Sequence, residues 1–242
     1  MSSTSTLTLA WILSISFFAS MVNLGLCSNE WDLLIFTQSW PTSVCDSWKQ
    51  GKGRSCRAYP KNIWTVHGIW PTKLGTVGPG NCDYRNPFNP SAVKGIENEL
   101  DYYWTNVHNQ GAKTSFWSHE WNKHGTCATS VPELSTQLKY FNQGLEWAKK
   151  YNMVNILGAA GIKPGQEFTV QNIRNGIKSV VNKNPQIICY VNSQRKSALL
   201  EVRLCFNKNL ELVDCDGTAV GKNSGGQLTN CRSNWVLYPA AN

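Results

Sequence analysis

Three of the four histidines in this 242-residue chain fall in two short segments that also carry a carboxylate and an amine. The first segment runs from Trp64 to Pro71 and contains His67, and the second runs from Ser115 to Cys127. The second segment contributes His119, Glu120, Lys123 and His124. Histidine titrates near neutrality, so a pair can act as base and acid in one proton-transfer cycle. With no second carboxylate and no activated serine nearby, this set predicts phosphodiester cleavage rather than most other hydrolyses.

The spacing of the second segment bears on a metal alternative. Zinc proteases carry H-E-x-x-H, whereas this chain has H-E-x-x-x-H. On a regular α-helix, His119 and His124 would point about 140° apart. Glu120 and His124, four residues apart, would share a face, as would His119 and Lys123. The spacing therefore argues against a shared zinc ion, and we expect no metal and no other cofactor.

Both segments resemble the two active-site blocks of the secreted ribonuclease T2 family, W-P-x-x-H-G-L-W-P and F-W-x-H-E-W-x-K-H-G-T-C. The second block matches at nearly every position, while the first differs in its opening pair and at Ile69. The resemblance implies an endoribonuclease that cleaves single-stranded RNA, and not DNA. The products would be 2′,3′-cyclic phosphates and then 3′-phosphates.

The resemblance also implies a role for each polar residue of the two blocks. His124 would be the general base and His67 the general acid, although the residues alone establish only a pair. Glu120 would orient or tune an imidazole, with a plain salt bridge to Lys123 or another cation as the alternative. Lys123 would stabilise transition-state charge, and His119 would hold phosphate.

Aromatic residues beside the histidines suggest base binding. Trp70 and Phe116 could stack on bases, which would bind nucleotides with little sequence specificity. Core packing is the expectation for most other tryptophans, and no function is assigned to Trp40, Trp48, Trp104, Trp147 or Trp235. We interpret His108 as a surface residue and the basic loop 49–54 as a solvated charged loop.

The amino-terminal residues and the cysteines indicate the secretory pathway. The first charged residue is Glu30, and Leu7 to Leu26 is mostly apolar. We interpret residues 1–27 as a signal peptide rather than a membrane anchor, and residues 28–242 as one ribonuclease domain. Removing Cys27 turns nine cysteines into eight, an even set typical of a disulfide framework. The resemblance implies the pairs Cys45–Cys56, Cys82–Cys127, Cys189–Cys231 and Cys205–Cys215. The protein would be secreted or lysosomal/vacuolar, monomeric, and free of the membrane.

The net charge of +8 favours polyanionic partners such as RNA. The competing functional class is a non-enzymatic, basic secreted protein on the same fold that binds RNA or acts in storage or recognition. Retention of both catalytic histidines argues against it.

Hydrophobic patterning predicts the fold class. Apolar runs predict strands at 31–37 and 63–67 near the amino terminus and three more between 186 and 213. Helical spacing lies between them, including a helix opened by a capping box at 130–133 with Leu138 inward. Gly125 would end the helix of the second segment. We therefore predict a single α+β domain with a central antiparallel sheet packed with several helices and stapled by disulfides.

Overall fold

The protein was analysed as a computed structural model, which describes residues 30–220 and 228–241. The predicted signal peptide lies outside these residues. The strands are β1 (Leu33–Ser39), β2 (Thr65–Thr72), β3 (Gln166–Thr169), β4 (Gln186–Val191), β5 (Ser197–Phe206), β6 (Leu212–Val213) and β7 (Trp235–Tyr238). The α-helices are α1 (Pro41–Lys49), α2 (Glu97–Tyr103), α3 (Ser115–Glu120), α4 (Thr126–Ala128), α5 (Gln137–Lys150), α6 (Met153–Ala159) and α7 (Val170–Val181). Pro90–Ile96 and Pro132–Leu134 form 3₁₀ turns, and Trp121–Gly125 is a π-helical turn.

One seven-stranded sheet organises the domain, with the order β2-β1-β5-β7-β3 and with β4 and β6 also paired to β5. The pairs are antiparallel except β5–β7, which is parallel. The α+β class is confirmed, and the sheet is mixed rather than purely antiparallel. The parallel pair arises because β7 returns to β5 from the distant carboxyl terminus rather than through a hairpin.

Both faces of the central strands are covered. In β1, six of the seven residues are buried, the pattern of a strand packed on both sides. Helix α5 presents Tyr140, Phe141 and Leu145 to the core. Tryptophans contribute the largest buried side chains, among them Trp40, Trp104, Trp117 and Trp121. These positions agree with the core packing that was predicted for most tryptophans.

Local predictions were wrong at three places. The capping box at 130–133 opens only a 3₁₀ turn, and α5 begins after Thr136, whose hydroxyl accepts a hydrogen bond from the Lys139 N–H. The buried stripe of α5 then follows Gln137, Tyr140, Phe141 and Gly144, which leaves Leu138 41% exposed. The predicted strand ending at His67 continues to Thr72.

Four disulfide bonds join Cys45–Cys56, Cys82–Cys127, Cys189–Cys231 and Cys205–Cys215, the pairs that the family resemblance implies. The Cys82–Cys127 bond ties the segment after β2 to α4, three residues beyond His124. It therefore connects the two chain regions that carry the histidines.

Candidate active site

His67 lies at an irregularity in the pairing of β2 with β1. Gln38 pairs with Val66 and Thr37 pairs with Gly68, so His67 is the extra residue of a β-bulge. Bulges redirect a side chain and disrupt the local ladder. Here the Trp104 Nε1–H donates to the His67 carbonyl at 3.0 Å, which gives that carbonyl a partner from outside the sheet. The bulge is thus held by the core.

The second segment forms one continuous helical run, which we call the site helix, with a wide turn in the middle. Helix α3 passes into the π-helical turn Trp121–Gly125 and then into α4. Gly125 does not end this run, and its backbone is helical, with φ −59° and ψ −41°. A Cβ at Gly125 would lie 2.3 Å from the Trp121 ring, so glycine lets this aromatic side chain fold back over the turn.

The π turn changes which side chains face each other. A π-helix pairs residues five apart, so His119 and His124 come to neighbouring positions instead of diverging. Ligand atoms of His119, Glu120 and His124 all lie within 4.8 Å of one another, close enough to hold a metal ion. The sequence argument against a shared metal was therefore wrong in its geometry, because it assumed a regular α-helix.

The Glu120 carboxylate lies at the centre of the site. Its Oε2 accepts a hydrogen bond from Trp70 Nε1 at 2.8 Å. Its Oε1 lies 3.8 Å from His67 Nε2 and 4.0 Å from His119 Nε2, and has no hydrogen-bond partner among the described residues. A Cβ at Gly68 would lie 2.1 Å from Oε2, so this glycine is required for the carboxylate to approach β2.

The Trp70 ring contacts both catalytic candidates, His67 on β2 and His124 on the site helix. Its ring centroid is 4.9 Å from that of His67 and 5.3 Å from that of His124. The Arg203 guanidinium lies over the same ring at 5.0 Å. With these neighbours and its bond to Glu120, Trp70 builds the wall between the imidazoles.

A second buried carboxylate, which the sequence analysis missed, holds His67 from the opposite side. Glu201 Oε1 lies 2.5 Å from His67 Nδ1, and Oε2 accepts a hydrogen bond from Arg203 at 2.9 Å. Glu201 is 5% exposed. The signal was present: Glu201 and Arg203 interrupt the apolar run of β5 two residues apart, so their side chains leave the same face.

These surroundings drive the pKa values of the two histidines in opposite directions. Burial opposes protonation of His67, but the charges of Glu201 and Glu120 outweigh it and raise the pKa of His67. Burial, helped by the positive charges of Lys123, His67 and His119, lowers the pKa of His124 to about 2. Divergent pKa values within a site are the mark of an acid and base pair.

The two carboxylates also differ. Burial raises the pKa of Glu120 to about 7, against the opposing influence of His67 and the Trp70 hydrogen bond. For Glu201, burial raises the pKa, but His67 and Arg203 together overcome it and bring the value to about 2. The surroundings of Glu201 therefore favour its ionised form, whereas the burial of Glu120 favours its protonated form.

A cavity of about 260 Å³ opens beside His67. We call it the base pocket, because it is lined by Phe116, whose ring is predicted to stack on a nucleobase. Its lining also includes Ser39, Trp48, Arg54, Asn106, His108 and Glu201. The Trp48 and His108 rings stack with centroids 4.0 Å apart, and Arg54 lies 4.0 Å above Trp48. Interpreting His108 as a surface residue was therefore wrong, because this stack places it in the wall of the pocket.

The remaining predicted residues lie at the rim of the site. Phe116 is half-buried, with its ring 5.6 Å from that of His67. The side chain of His119 is 57% exposed, and Lys123 is exposed on the π turn. Lys123 makes no ion pair with Glu120 within the described residues. The groups that approach Glu120 and can carry a positive charge are His67 and His119, at 3.8 and 4.0 Å, so only the salt bridge to another cation is compatible with the structure.

The sequence profile of the Ribonuclease T2 family matches residues 31–215. The chain belongs to the ribonuclease T2 family. Ribonuclease Oy of Magallana gigas is 35% identical over 219 residues, which cover 87% of this chain and 97% of that protein.

Solved structures of the ribonuclease T2 family share the fold. The structure of human RNase T2 has a TM-score of 0.71 and 30% identity, covering 88% of this chain and 100% of that one. A mutant of RNase MC1, from bitter gourd, in complex with 5′-GMP has a TM-score of 0.72 and 29% identity, with 86% and 100% coverage. Within residues 30–220 and 228–241, no helix combines the length and apolar character needed to cross a bilayer.

Proposed function

We propose that this ribonuclease T2 family member, an endoribonuclease, cleaves single-stranded RNA by transesterification. His124 removes the proton from a ribose 2′-hydroxyl, and the 2′-oxygen attacks the adjacent phosphorus. His67 gives a proton to the departing 5′-oxygen, which leaves a 2′,3′-cyclic phosphate on the upstream product. In a second step the roles reverse: His67 takes a proton from water, and His124 returns one to the 2′-oxygen, giving a 3′-phosphate.

The divergence of the two histidine pKa values is the observation that carries this assignment. A general acid must begin protonated, and two carboxylates favour the protonated form of His67. A general base must begin neutral, and burial and the neighbouring cations favour the neutral form of His124. When RNA is bound, the negative charge of the phosphodiester would favour protonated His124. The pKa of His124 would then be lowered less, so that this histidine can take up the proton.

The hydrogen bond from His67 Nδ1 to Glu201 defines which nitrogen reacts. An ionised carboxylate only accepts hydrogen bonds, so Nδ1 carries the hydrogen and Nε2 is the atom that exchanges the catalytic proton. Nε2 is also the atom that faces Glu120, on the side of the site helix. Glu201 thus has the orienting role that a buried carboxylate takes beside a catalytic histidine.

The other residues stabilise charge and hold substrate. Lys123 is the cation closest in sequence to His124, and we assign it to the phosphorane oxygens. His119 binds phosphate from the exposed rim, and Glu120 tunes His67. Phe116 provides a stacking surface in the base pocket, while Trp70 acts chiefly by holding Glu120. These groups supply the chemistry without a metal, and DNA lacks the 2′-hydroxyl nucleophile.

We also propose that the protein enters the secretory pathway as a monomer. The uncharged leader 1–27 and the set of disulfide bonds support an oxidising compartment. One chain supplies every group of the site. Nothing in the site favours the non-enzymatic alternative.

The test is cleavage of single-stranded RNA by the purified protein in EDTA, with the product ends identified. We expect cyclic phosphate ends to accumulate first and DNA to remain intact. Activity that disappears in EDTA and returns with a divalent ion would instead assign the His119–Glu120–His124 cluster to a metal and refute the mechanism.

A further inference from the structure

Two more cavities continue from the base pocket across the molecule. The base pocket and a neighbouring cavity of about 350 Å³ share Ser47 in their walls. That second cavity shares Val191, Ser197 and Arg232 with a third, of about 700 Å³. We call the second and third cavities together the side groove. Because they have these wall residues in common, the three cavities adjoin one another in a row that begins beside His67.

The far end of the side groove is positively charged. Arg195, Lys196 and Arg232 line it, together with a single acid, Glu167. Lys196 is paired with Glu167 at 2.6 Å. The side chains of Arg195 and Arg232 are exposed and have no hydrogen bond or ion pair within the described part of the chain. Two guanidinium groups are therefore available for an anion.

An aromatic side chain lies beside these cations. Trp235, the first residue of β7, lines the same cavity and is 57% exposed. Seven of the ten tryptophans that the structure describes lie in the buried core, so this exposure is an exception. A groove that combines cations with an exposed aromatic ring is the surface that binds single-stranded nucleic acid, because phosphates meet the cations and bases stack on the ring.

We propose that the side groove binds the RNA strand on the 3′ side of the scissile phosphate. This inference rests on the proposed function: if His67 protonates the 5′-oxygen, the nucleotide carrying that oxygen lies on the His67 side, in the base pocket. The strand beyond it then enters the side groove and reaches Arg195, Arg232 and Trp235.

The length of the groove sets the number of nucleotides. Ser197 and Glu201 lie on β5, four residues apart, which spans about 13 Å along a strand. Stacked nucleotides are spaced about 3.4 Å along one strand, so about four downstream nucleotides reach the cationic end. A dinucleotide would occupy only the catalytic centre and the base pocket.

The test uses DNA strands that contain one ribonucleotide, so that cleavage occurs at a single defined bond. The core substrate is the ribonucleotide with one downstream deoxynucleotide; the others extend this core by four deoxynucleotides on the 3′ side or the 5′ side. For the parent protein, we expect the 3′ extension to raise kcat/KM at least about fivefold, the lower bound for one stacked base. The 5′ extension should have little effect.

Charge reversal should remove this gain. In the Arg195→Glu, Arg232→Glu double variant, the 3′-extended substrate should be cleaved no faster than the core, whose own rate should be unchanged. The matched control is Lys94→Glu, Lys178→Glu, which makes the same change in net charge at exposed residues outside the groove. Equal losses in both variants, or a gain from the 5′ extension, would overturn the proposal.

Two further measurements separate the groove from the catalytic function. Trp235→Ala should reduce the gain from the 3′ extension while leaving the salt dependence unchanged. Replacing both arginines by alanine should reduce the slope of log kcat/KM against log salt by about 1.4, or about 0.7 per phosphate contact. Failure to cleave even the core substrate would refute the proposed function. If the core substrate is cleaved but the gain in kcat/KM from the 3′ extension is the same with and without the two arginines, only the groove proposal is refuted.

Discussion

Replacing Glu201 by glutamine tests whether this buried carboxylate keeps His67 protonated. The side chain keeps its size and can still accept the hydrogen bond from Nδ1, but it loses its charge. The pKa of Glu201, lowered from 4.5 to about 2, corresponds to about 3 kcal/mol of net stabilisation by His67 and Arg203. Part of this stabilisation comes from the ion pair with His67, so loss of the charge lowers the pKa of His67 and reduces its protonated population on the order of tenfold.

The expected result is a change in the pH–rate profile of RNA cleavage. Because a general acid is active only while protonated, the alkaline limb of kcat/KM should move to lower pH in Glu201→Gln. On that limb the variant should be roughly tenfold slower than the parent, and on the acid side the difference should shrink. Glu201→Asp, which keeps the charge, should restore part of the limb, and Glu133→Gln, at an exposed glutamate, should leave the profile unchanged.

Two readouts separate this effect from simple loss of fold. Long-range ¹H–¹⁵N correlation spectra of the four histidines should show a lowered pKa for His67 in Glu201→Gln. The two proteins should also differ in how their stability depends on acid. In the parent, the depressed pKa of Glu201 gives stability that is present above pH 4.5 and lost as the pH falls toward 2, and Glu201→Gln should lack this contribution. An alkaline limb and a His67 titration that both remain at the parent pH in a folded Glu201→Gln protein would refute the reasoning.

Other substitutions test the rest of the site. Glu120→Gln should lower activity yet raise the melting temperature at pH 7, because a carboxyl whose pKa is raised to about 7 costs stability as the pH rises from 4.5 to 7; a lower melting temperature would contradict the buried position of its charge. His67→Ala and His124→Ala should each reduce kcat by about 10²–10⁴, with a double variant far from additive because the pair acts as a unit; near-normal turnover of either single variant would exclude that histidine. The Cys82→Ser, Cys127→Ser double variant should destabilise the fold by up to roughly 4 kcal/mol. It should also cleave RNA more slowly well below its melting temperature, since small displacements of reacting groups are costly in catalysis. Cleavage at the parent rate would show that this bridge contributes only to stability.

Much of the site was predictable because it is local in sequence. The blocks around His67 and His124 indicated the ribonuclease T2 family, and the even cysteine set predicted the disulfide framework. The apolar runs at both ends of the chain predicted strands in an α+β domain. These inferences succeed because residue type and short spacing determine pairing of functional groups and the periodicity of burial.

Other features depend on contacts between distant segments, which local spacing does not encode. The wide turn at Trp121–Gly125 brings His119 and His124 together, and it reverses the argument that an α-helical spacing supplied. The bulge that redirects His67 depends on the register between β1 and β2, and Trp104 holds it from a separate part of the chain.

The sequence by itself determined the reactive groups and the family, because those are properties of residue type and order. Only the tertiary structure separated the pKa values of the two histidines. Glu201 lies 134 residues from His67 along the chain, yet β1 and β5 bring its carboxylate into contact with Nδ1. The pKa of an imidazole depends on burial and on charges within a few ångströms, and folding determines both.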